Sequence, residues 1–492
     1  MKYGTRKITT NWNLFFGSVG LVHAAIVGIL FVPLYLSYLG VELWGQWLAL
    51  GSIFILLSSM DLGINQGLLQ RIGFNFASEE TLKVGEYFRS GIIIISCLSL
   101  LMLLTGFLFY FVALNFLPQL NFNGDLTWAY LIAVIIVPIN LFNNFLVGVQ
   151  VAILKPFLIS LVQSLCLVLS VIFQFFGLYL GYGLLSLVLP NLVFFSVALV
   201  IGLYLNRIYI SHIYKEHFNK DIFLDCIGIA RDLSIPRLLD RIASGSYPML
   251  ISIASSPELV VAFTICRRAG EFALRVINML RSTIIYPMIN ARASLSNFKF
   301  SLLLTQANRI FVFLSLLSFF TYSVLNKYFV YLWVGENQFL GIYINILLTL
   351  TLTLQSLKLY VHDLLIMEGM NKIFLHQGLL GILVFIIEVI GLFLFGIEIM
   401  LFCNLFFGSF VLIYGIQKFL IKQNSLYKIT YENILKSRIL RFVALSIIIS
   451  IGLLIIDANL IVSCLSIILF TLISIKILSI YDWIRDYLGY SK

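Results

Sequence analysis

Between Pro257 and Arg292 the chain reads PELVVAFTICRRAGEFALRVINMLRSTIIYPMINAR. The segment is apolar enough to enter a bilayer, yet it carries Arg267, Arg268, Glu271, Arg275 and Arg281. At about 100° per residue these five, with Thr264 and Asn278, share a helical arc of roughly 140°. A charge at the centre of a span costs ~2.5–3.5 kcal/mol on insertion scales. Four arginines on one face therefore need water or an anion opposite them. A guanidinium stays charged and donates two parallel hydrogen bonds, which suits a phosphate or pyrophosphate. The chemistry on offer is capture of an anion within a membrane. Arg267, Arg268 and Arg275 are its centre, and Arg281 lies near enough to the cytoplasmic end to snorkel.

Two further stripes extend this surface. Ser234, Arg237, Asp240, Arg241, Ser244, Ser252 and Ser255 fall within about 120° of each other on the preceding segment. Asp240, three residues from Arg237, offsets part of the charge. The two segments together hold six arginines against Asp240 and Glu271. Further on, Thr351, Gln355, Lys358 and His362 follow helical steps, with Asp363 beside them. Lys358 either extends the anion site or serves structure, and His362 with Asp363 offers a route for a proton. Candidates for coupling to an ion are His23, Asp61, Glu271 and Glu388. Each has a structural alternative: His23 as a hydrogen-bonded buried imidazole, Asp61 as the cap of a kink in DLGINQG, and Glu388 as a partner of Lys358 or of an arginine.

The elements that must position these residues are spans. Of 492 residues, 61% are hydrophobic and 11% charged, with a mean hydropathy of +1.03. No soluble domain of this size reads that way. The basic start MKYGTRKITTNWNL leads into an apolar run too long for a signal-peptide core, so no cleavable signal is expected. Apolar runs of ~20 residues fall at 14–39, 44–66, 90–114, 126–150, 157–178, 184–205, 233–255, 259–286, 306–330, 341–366, 374–396, 399–417, 439–456 and 459–478. With both termini cytoplasmic, the inside segments take twenty-four of the thirty-two Lys and Arg, and the outside loops take Lys327 alone. That bias fixes the orientation and supports the count. The net charge of +10 is thus a topology signal and not a nucleic-acid footprint.

The expected fold is an all-α polytopic membrane protein of about fourteen transmembrane helices. PLYLSYLGVELWGQWLAL from Pro33 and PMLISIASSPELVVAFTIC from Pro248 form a faint repeat, which suggests two six-helix lobes in pseudo-two-fold relation around a midplane site. The domains expected are 1–215, a linker at 216–232, 233–425, and two more helices within 426–492. No P-loop, GxSxG or HExxH occurs, so neither an ATP-driven pump nor an enzyme is indicated. The six cysteines lie singly, without metal-ligand spacing.

The N-terminal block resembles the Wzx-type polysaccharide flippases of the multidrug/oligosaccharidyl-lipid/polysaccharide (MOP) exporter superfamily. The resembling stretches are PLYLSYLGVELWGQWLAL (33–50), LLSSMDLGINQGLLQRI (56–72), YPMINARAS (286–294), YLWVGENQF (331–339) and MEGMNKIFL (367–375). Their order and spacing cover most of 1–420. Many relatives have twelve spans, against fourteen here. The resemblance implies a bacterial cytoplasmic membrane protein with two six-helix bundles around a cationic cavity. By alternating access it would move an undecaprenyl-pyrophosphate-linked oligosaccharide, an O-antigen or capsule unit, driven by a proton or sodium gradient and without a cofactor. It also implies membrane lipid, and polymerase and chain-length proteins of the same pathway, as partners. A flippase for a peptidoglycan-type precursor and a multidrug exporter of the same superfamily remain alternatives. A drug exporter for cations should line its cavity with acids and aromatics, not arginines.

Overall fold

The structure is a computed structural model. It describes residues 22–61, 64–78, 80–117, 124–207, 221–224, 245–294, 297–367 and 370–422, with isolated positions at 12, 15, 16, 19, 20, 120, 122 and 242. The expected linker (except 221–224) and the two C-terminal spans lie outside the described residues.

The described elements are helices. A π turn at Ile26–Leu30 precedes α1 (Val32–Leu39), and the two parts of this first span are bent by 40°. Pro33, in the first turn of α1, explains the break, because its ring clashes with the preceding turn and it has no N–H to donate. Then follow α2 (Val41–Ser59), α3 (Ile64–Ala77), α4 (Thr81–Phe116), α5 (Gly124–Ala152), α6 (Phe157–Tyr179) and α7 (Leu185–Leu205). The second half holds α8 (Tyr247–Ala254), α9 (Pro257–Ser294), α10 (Asn297–Val334), α11 (Ile342–Met367), α12 (Asn371–Phe395) and α13 (Ile397–Lys422). Among the described residues nine helices are long and apolar enough to cross a membrane, or ten with the bent first span. The molecule is an all-α, multi-pass membrane protein.

Single glycines make two of the turns between helices. Gly40 (φ +79°) joins α1 to α2, and Gly396 (φ +90°) joins α12 to α13. Positive φ is open to glycine and costly for other residues. Glu42 and Glu398 follow in the first turn of the next helix, where a carboxylate complements the helix dipole. α9 begins differently. The Ser256 hydroxyl accepts the Leu259 N–H at 3.4 Å, and Pro257 takes the first helical position. The same hydroxyl bonds Glu258 and holds that carboxyl below its usual range.

Hydropathy located the spans but not the helix ends. Residues 67–89 were expected as a cytoplasmic loop, yet α3 and the start of α4 occupy most of them. Leu68 and Ile72, one turn apart, are fully buried and give α3 an apolar face that hydropathy averages away. α9 and α10 each run for 38 residues, well past the bilayer core.

Contacts divide the chain into two units, Met1–Val261 and Ala262–Lys492. In the first, α5 packs on α2, α3, α4 and α7, and α6 pairs with α7. Phe88 of α4 stacks on Phe145 of α5, their centroids 5.6 Å apart. Lipid tails supply little drive for helix association, so close contact relies on small residues and polar links. Gly91 lies under Phe145, Gly106 under Val134 and Gly148 under Leu69. Gln150 of α5 donates to Asn206 beyond α7 at 2.9 Å, and Gln174 of α6 to Asn191 of α7 at 3.2 Å. In the second unit α12 and α13 form a hairpin, α11 packs on α13, and α10 on α11.

The closest approach in the first unit joins α2 to the α8–α9 turn. A Cβ at Gly45 would stand 2.1 Å from the Pro257 carbonyl oxygen, and Ser52 accepts the Met249 N–H at 3.2 Å. Gly51 has nothing within 4 Å of its Cβ position. Gly45→Val should lower the thermal unfolding midpoint in detergent markedly, whereas Gly51→Ala should leave it level or raise it.

Candidate functional site

α9 carries the charged arc, and three contacts fix how that arc is presented. Gly270 is closed over by Leu352 of α11 and Tyr322 of α10, its Cβ position 2.4 Å and 3.1 Å from their nearest atoms. Tyr322 donates to the Cys266 carbonyl at 2.8 Å, and Asn326 donates to the same oxygen at 2.9 Å. Lower down, Arg281 donates to the Leu359 carbonyl at 3.1 Å and forms a hydrogen-bonded ion pair with Asp363 of α11. Gly270 to Leu352 and Arg281 to Asp363 are the same distance in sequence, 82 residues. A constant difference means that α9 and α11 run parallel and in register.

Helical geometry then places the polar stripes. Take the α11-facing side of α9 from Gly270 and Arg281, and count about 100° per residue. Thr264, Arg267, Arg268, Glu271, Arg275 and Asn278 all turn to one side of the α9–α11 plane. Thr351, Gln355, Lys358 and His362 of α11, counted from Leu352 and Asp363, turn to the same side. Cys266, where α10 bonds, turns to the other. The two stripes form one polar wall with α10 behind it. Their described side chains are half-buried or exposed, while the α10-facing Cys266 is buried.

Charge on this wall is partly compensated. Glu271 pairs with Arg267 at 3.0 Å and approaches Arg268 at 3.9 Å. Arg275 and Lys358 have no ion pair among the described residues. The Asn278 Oδ1 is buried without a hydrogen-bond partner among them. Arg267, Arg268, Arg275, Arg281 and Lys358 thus face Glu271 and Asp363, a surplus of three positive charges. Phe272, Val276 and Met279, exposed on α9 to one side of Arg275, put apolar surface along the flank of the arc.

Arg281, expected to snorkel, is instead half-buried and paired with Asp363. Glu388 of α12 is 2% exposed and accepts from Asn404 of α13 at 2.8 Å. This amide is one of its partners. Asp61 accepts the Asn65 N–H at 3.3 Å, where α2 has ended at Ser59 and α3 begins at Ile64. One helix thus ends before DLGINQG and the next begins within it. His23 is half-buried just before the π turn, and its Nε2 has no hydrogen-bond partner among the described residues. Arg237, Asp240 and Arg241 lie outside the described residues. Sequence reasoning missed Asn404, although Glu388 and Asn404 each lie eight residues from the Gly396 turn. A hairpin folded at that glycine sets them opposite one another.

No protein-family model matches the chain, and no curated protein matches it by sequence. Solved structures do. The lipid II flippase MurJ in an inward closed conformation aligns with a TM-score of 0.61 at 13% identity, over 97% of this chain and 100% of its own. An inward-facing multidrug-resistance MATE-family transporter of the MOP superfamily aligns at 0.60 and 14%, over 80% and 94%. A variant of the Vibrio cholerae MATE transporter VcmN aligns at 0.58 and 15%, over 87% and 100%. The chain has the fold of MOP-superfamily transporters. Within the MOP fold, the polar wall belongs to the second unit, on the helices numbered eighth and tenth among the expected spans.

The Arg281–Asp363 pair can be tested apart from any cargo. Removing one partner of a buried pair leaves the other charge unmatched. Both side chains keep about a fifth of their exposure, so the loss from Asp363→Asn should be on the order of 2 kcal/mol. Unfolding in detergent should read this loss, and Arg281→Met with Asp363→Leu should recover much of it.

Proposed function

We propose that this chain is a flippase for an undecaprenyl-pyrophosphate-linked oligosaccharide, an O-antigen or capsule unit, in the bacterial cytoplasmic membrane. The observation that carries the reading is the surplus of cations on the α9–α11 wall. A diphosphate headgroup cannot cross hydrocarbon unaided, because its charges would lose their hydration. Arginines within a span replace that hydration with hydrogen bonds of matching geometry. Arg275 is the most available of them, and the apolar side chains to one side of it suit a ligand whose phosphate adjoins a hydrocarbon tail. Arg267, Arg268 and Lys358 widen the positive surface, and Arg237 and Arg241 extend it if their helix presents the face read from sequence. The sugar would be recognised by amide, hydroxyl and aromatic groups elsewhere in the bundle.

Transport would proceed by alternating access, as the two-unit organisation favours, with a proton or sodium gradient as the driving force. His23, Asp61, Glu271 and Glu388 are the proposed sites of coupling. A flippase for a peptidoglycan-type precursor is the second reading. The likeness to MurJ supports it, because that alignment reaches 97% of this chain, against 80% and 87% for the two MATE transporters. A cation-exporting drug transporter fits less well, because an arginine-rich wall repels such cargo.

Arg268→Ala and Arg275→Ala should each abolish export of the surface polymer at wild-type levels of inserted protein. Arg275→Lys should retain part of it, since an ammonium keeps the charge but loses the two-pronged geometry. A deletion strain should accumulate the lipid-linked intermediate on the inner leaflet. Normal surface polymer in both alanine variants, with expression matched, would sink the arginine-wall reading, and the chemical nature of the accumulated intermediate separates the two flippase readings.

A further inference from the structure

The most deeply buried acid among the described residues is Glu388 of α12. Asn404 of α13 is hydrogen-bonded to it at 2.8 Å. One turn along α13 stands Gly408. The Lys358 ammonium of α11 and the Asn404 Oδ1 both lie against the gap left by its missing side chain, 3.6 Å and 4.0 Å from where a Cβ would be. Leu354, one turn before Lys358, closes the gap at 2.9 Å. A Cβ here would narrow the space that the ammonium and the amide share.

Two registers support the juxtaposition. Gly408 meets Leu354, and Gly415 meets Val361, so α11 and α13 run parallel with a constant offset. Glu388 meets Asn404, and Gln377 meets Gly415, so α12 and α13 run antiparallel about Gly396. Lys358 therefore reaches back along its own helix, as helical side chains do, towards the level of Asn404 and Glu388. Other titratable groups lie close by. Cys403 of α13 lies 3.5 Å from the Cβ position of Gly391, one turn along α12, and His362 lies one turn beyond Lys358 on α11.

A carboxylate this deeply buried needs a positive counterpart or a proton. Lys358 is the cation at hand: its ammonium lies 3.6 Å from the Gly408 Cβ position that the Asn404 Oδ1 also approaches. The amide oxygen can accept from an ammonium while the amide N–H groups donate to a carboxylate. We propose that Lys358, Asn404 and Glu388 form a relay in which Lys358 is the exchangeable counter-charge of Glu388. In one state the ammonium lies in the Gly408 gap and Glu388 stays ionised. In the other the ammonium turns outward to an anion on the wall, and Glu388 takes up a proton from the aqueous phase to become a neutral carboxylic acid. Binding of an anion and uptake of a proton are then linked through one lysine. The second state rests on the anion-binding reading given above, whereas the first does not.

Infrared difference spectroscopy of the purified full-length protein, which detects the C=O stretch of a protonated carboxyl group, tests both states. In wild-type protein at neutral pH, Glu388→Gln should remove no such band. In Lys358→Met a protonated-carboxyl band should be present, and it should be lost in Lys358→Met/Glu388→Gln. Inorganic pyrophosphate, with its binding followed by calorimetry, should raise the same band in wild-type protein and not in Glu388→Gln. Gly408→Val, which fills the gap, should give the band without any anion. An identical band, or none, in wild-type and Lys358→Met would overturn the counter-charge. Pyrophosphate that binds without raising the band would overturn the exchange while leaving the flippase reading intact. Failure of pyrophosphate to bind would overturn the exchange and the anion wall together, with the Lys358→Met comparison still deciding the counter-charge.

Discussion

The constraint on which the rest of this structure depends is that a charge within a bilayer must meet an opposite charge, water or a ligand. Most of the chain obeys it by leaving charge out. Where charges do occur inside spans, the second unit handles each differently. Arg281 is neutralised by Asp363 on a neighbouring helix. Arg267 shares Glu271 within its own helix. Glu388 is held by an amide. Arg275 and Lys358 form no ion pair at contact distance among the described residues.

Presenting such a wall requires the helices behind it to be locked. A bundle in lipid cannot rely on the hydrophobic effect between its helices, because lipid tails are as apolar as leucine. The locks are glycines at crossings and amides in bonds. Gly270 lets α9 approach α10 and α11, and Asn326 reaches both the Cys266 carbonyl and Asn345, tying α9, α10 and α11 at one level. The first unit uses the same devices at Gly91, Gly106 and Gly148, and at Gln150 with Asn206. These interactions set the register of each pair, and the register of α9 with α11 gathers two separate polar stripes on one side.

Much of this was legible in the sequence. The apolar runs marked the spans, and the 140° arc of α9 was readable from spacing alone. The breaks at Pro33 and at DLGINQG were readable too, because proline and glycine act locally. Two kinds of feature were not. Hydropathy averages over a window, so it could not show that α3, or the ends of α9 and α10, continue as helix into water. The partner of a buried group depends on the register between helices. Arg281 was taken to snorkel because its own helix gives no hint of Asp363, which lies 82 residues away. Glu388 and Asn404 are the informative exception, because a one-residue turn fixes their hairpin and symmetry about Gly396 predicts the contact.

The charge on the wall also explains why α9 is the hardest span to recognise. It is absent from the helices apolar enough to cross a membrane, although it is among the longest. A helix with four arginines and a glutamate on one arc cannot satisfy hydropathy, because that arc carries what hydrocarbon excludes. Its membership of the bundle comes from its other faces: the buried Val260, Val261, Phe263, Ile265 and Cys266 near its start, and Leu274 and Ile277 further along. Apolar contacts on those sides hold the helix in place while the arc carries the charge. A helix with the same arginines but fewer of those contacts would have no reason to remain in the bundle, and one with the contacts but no arginines would be an ordinary span with nothing to offer an anion.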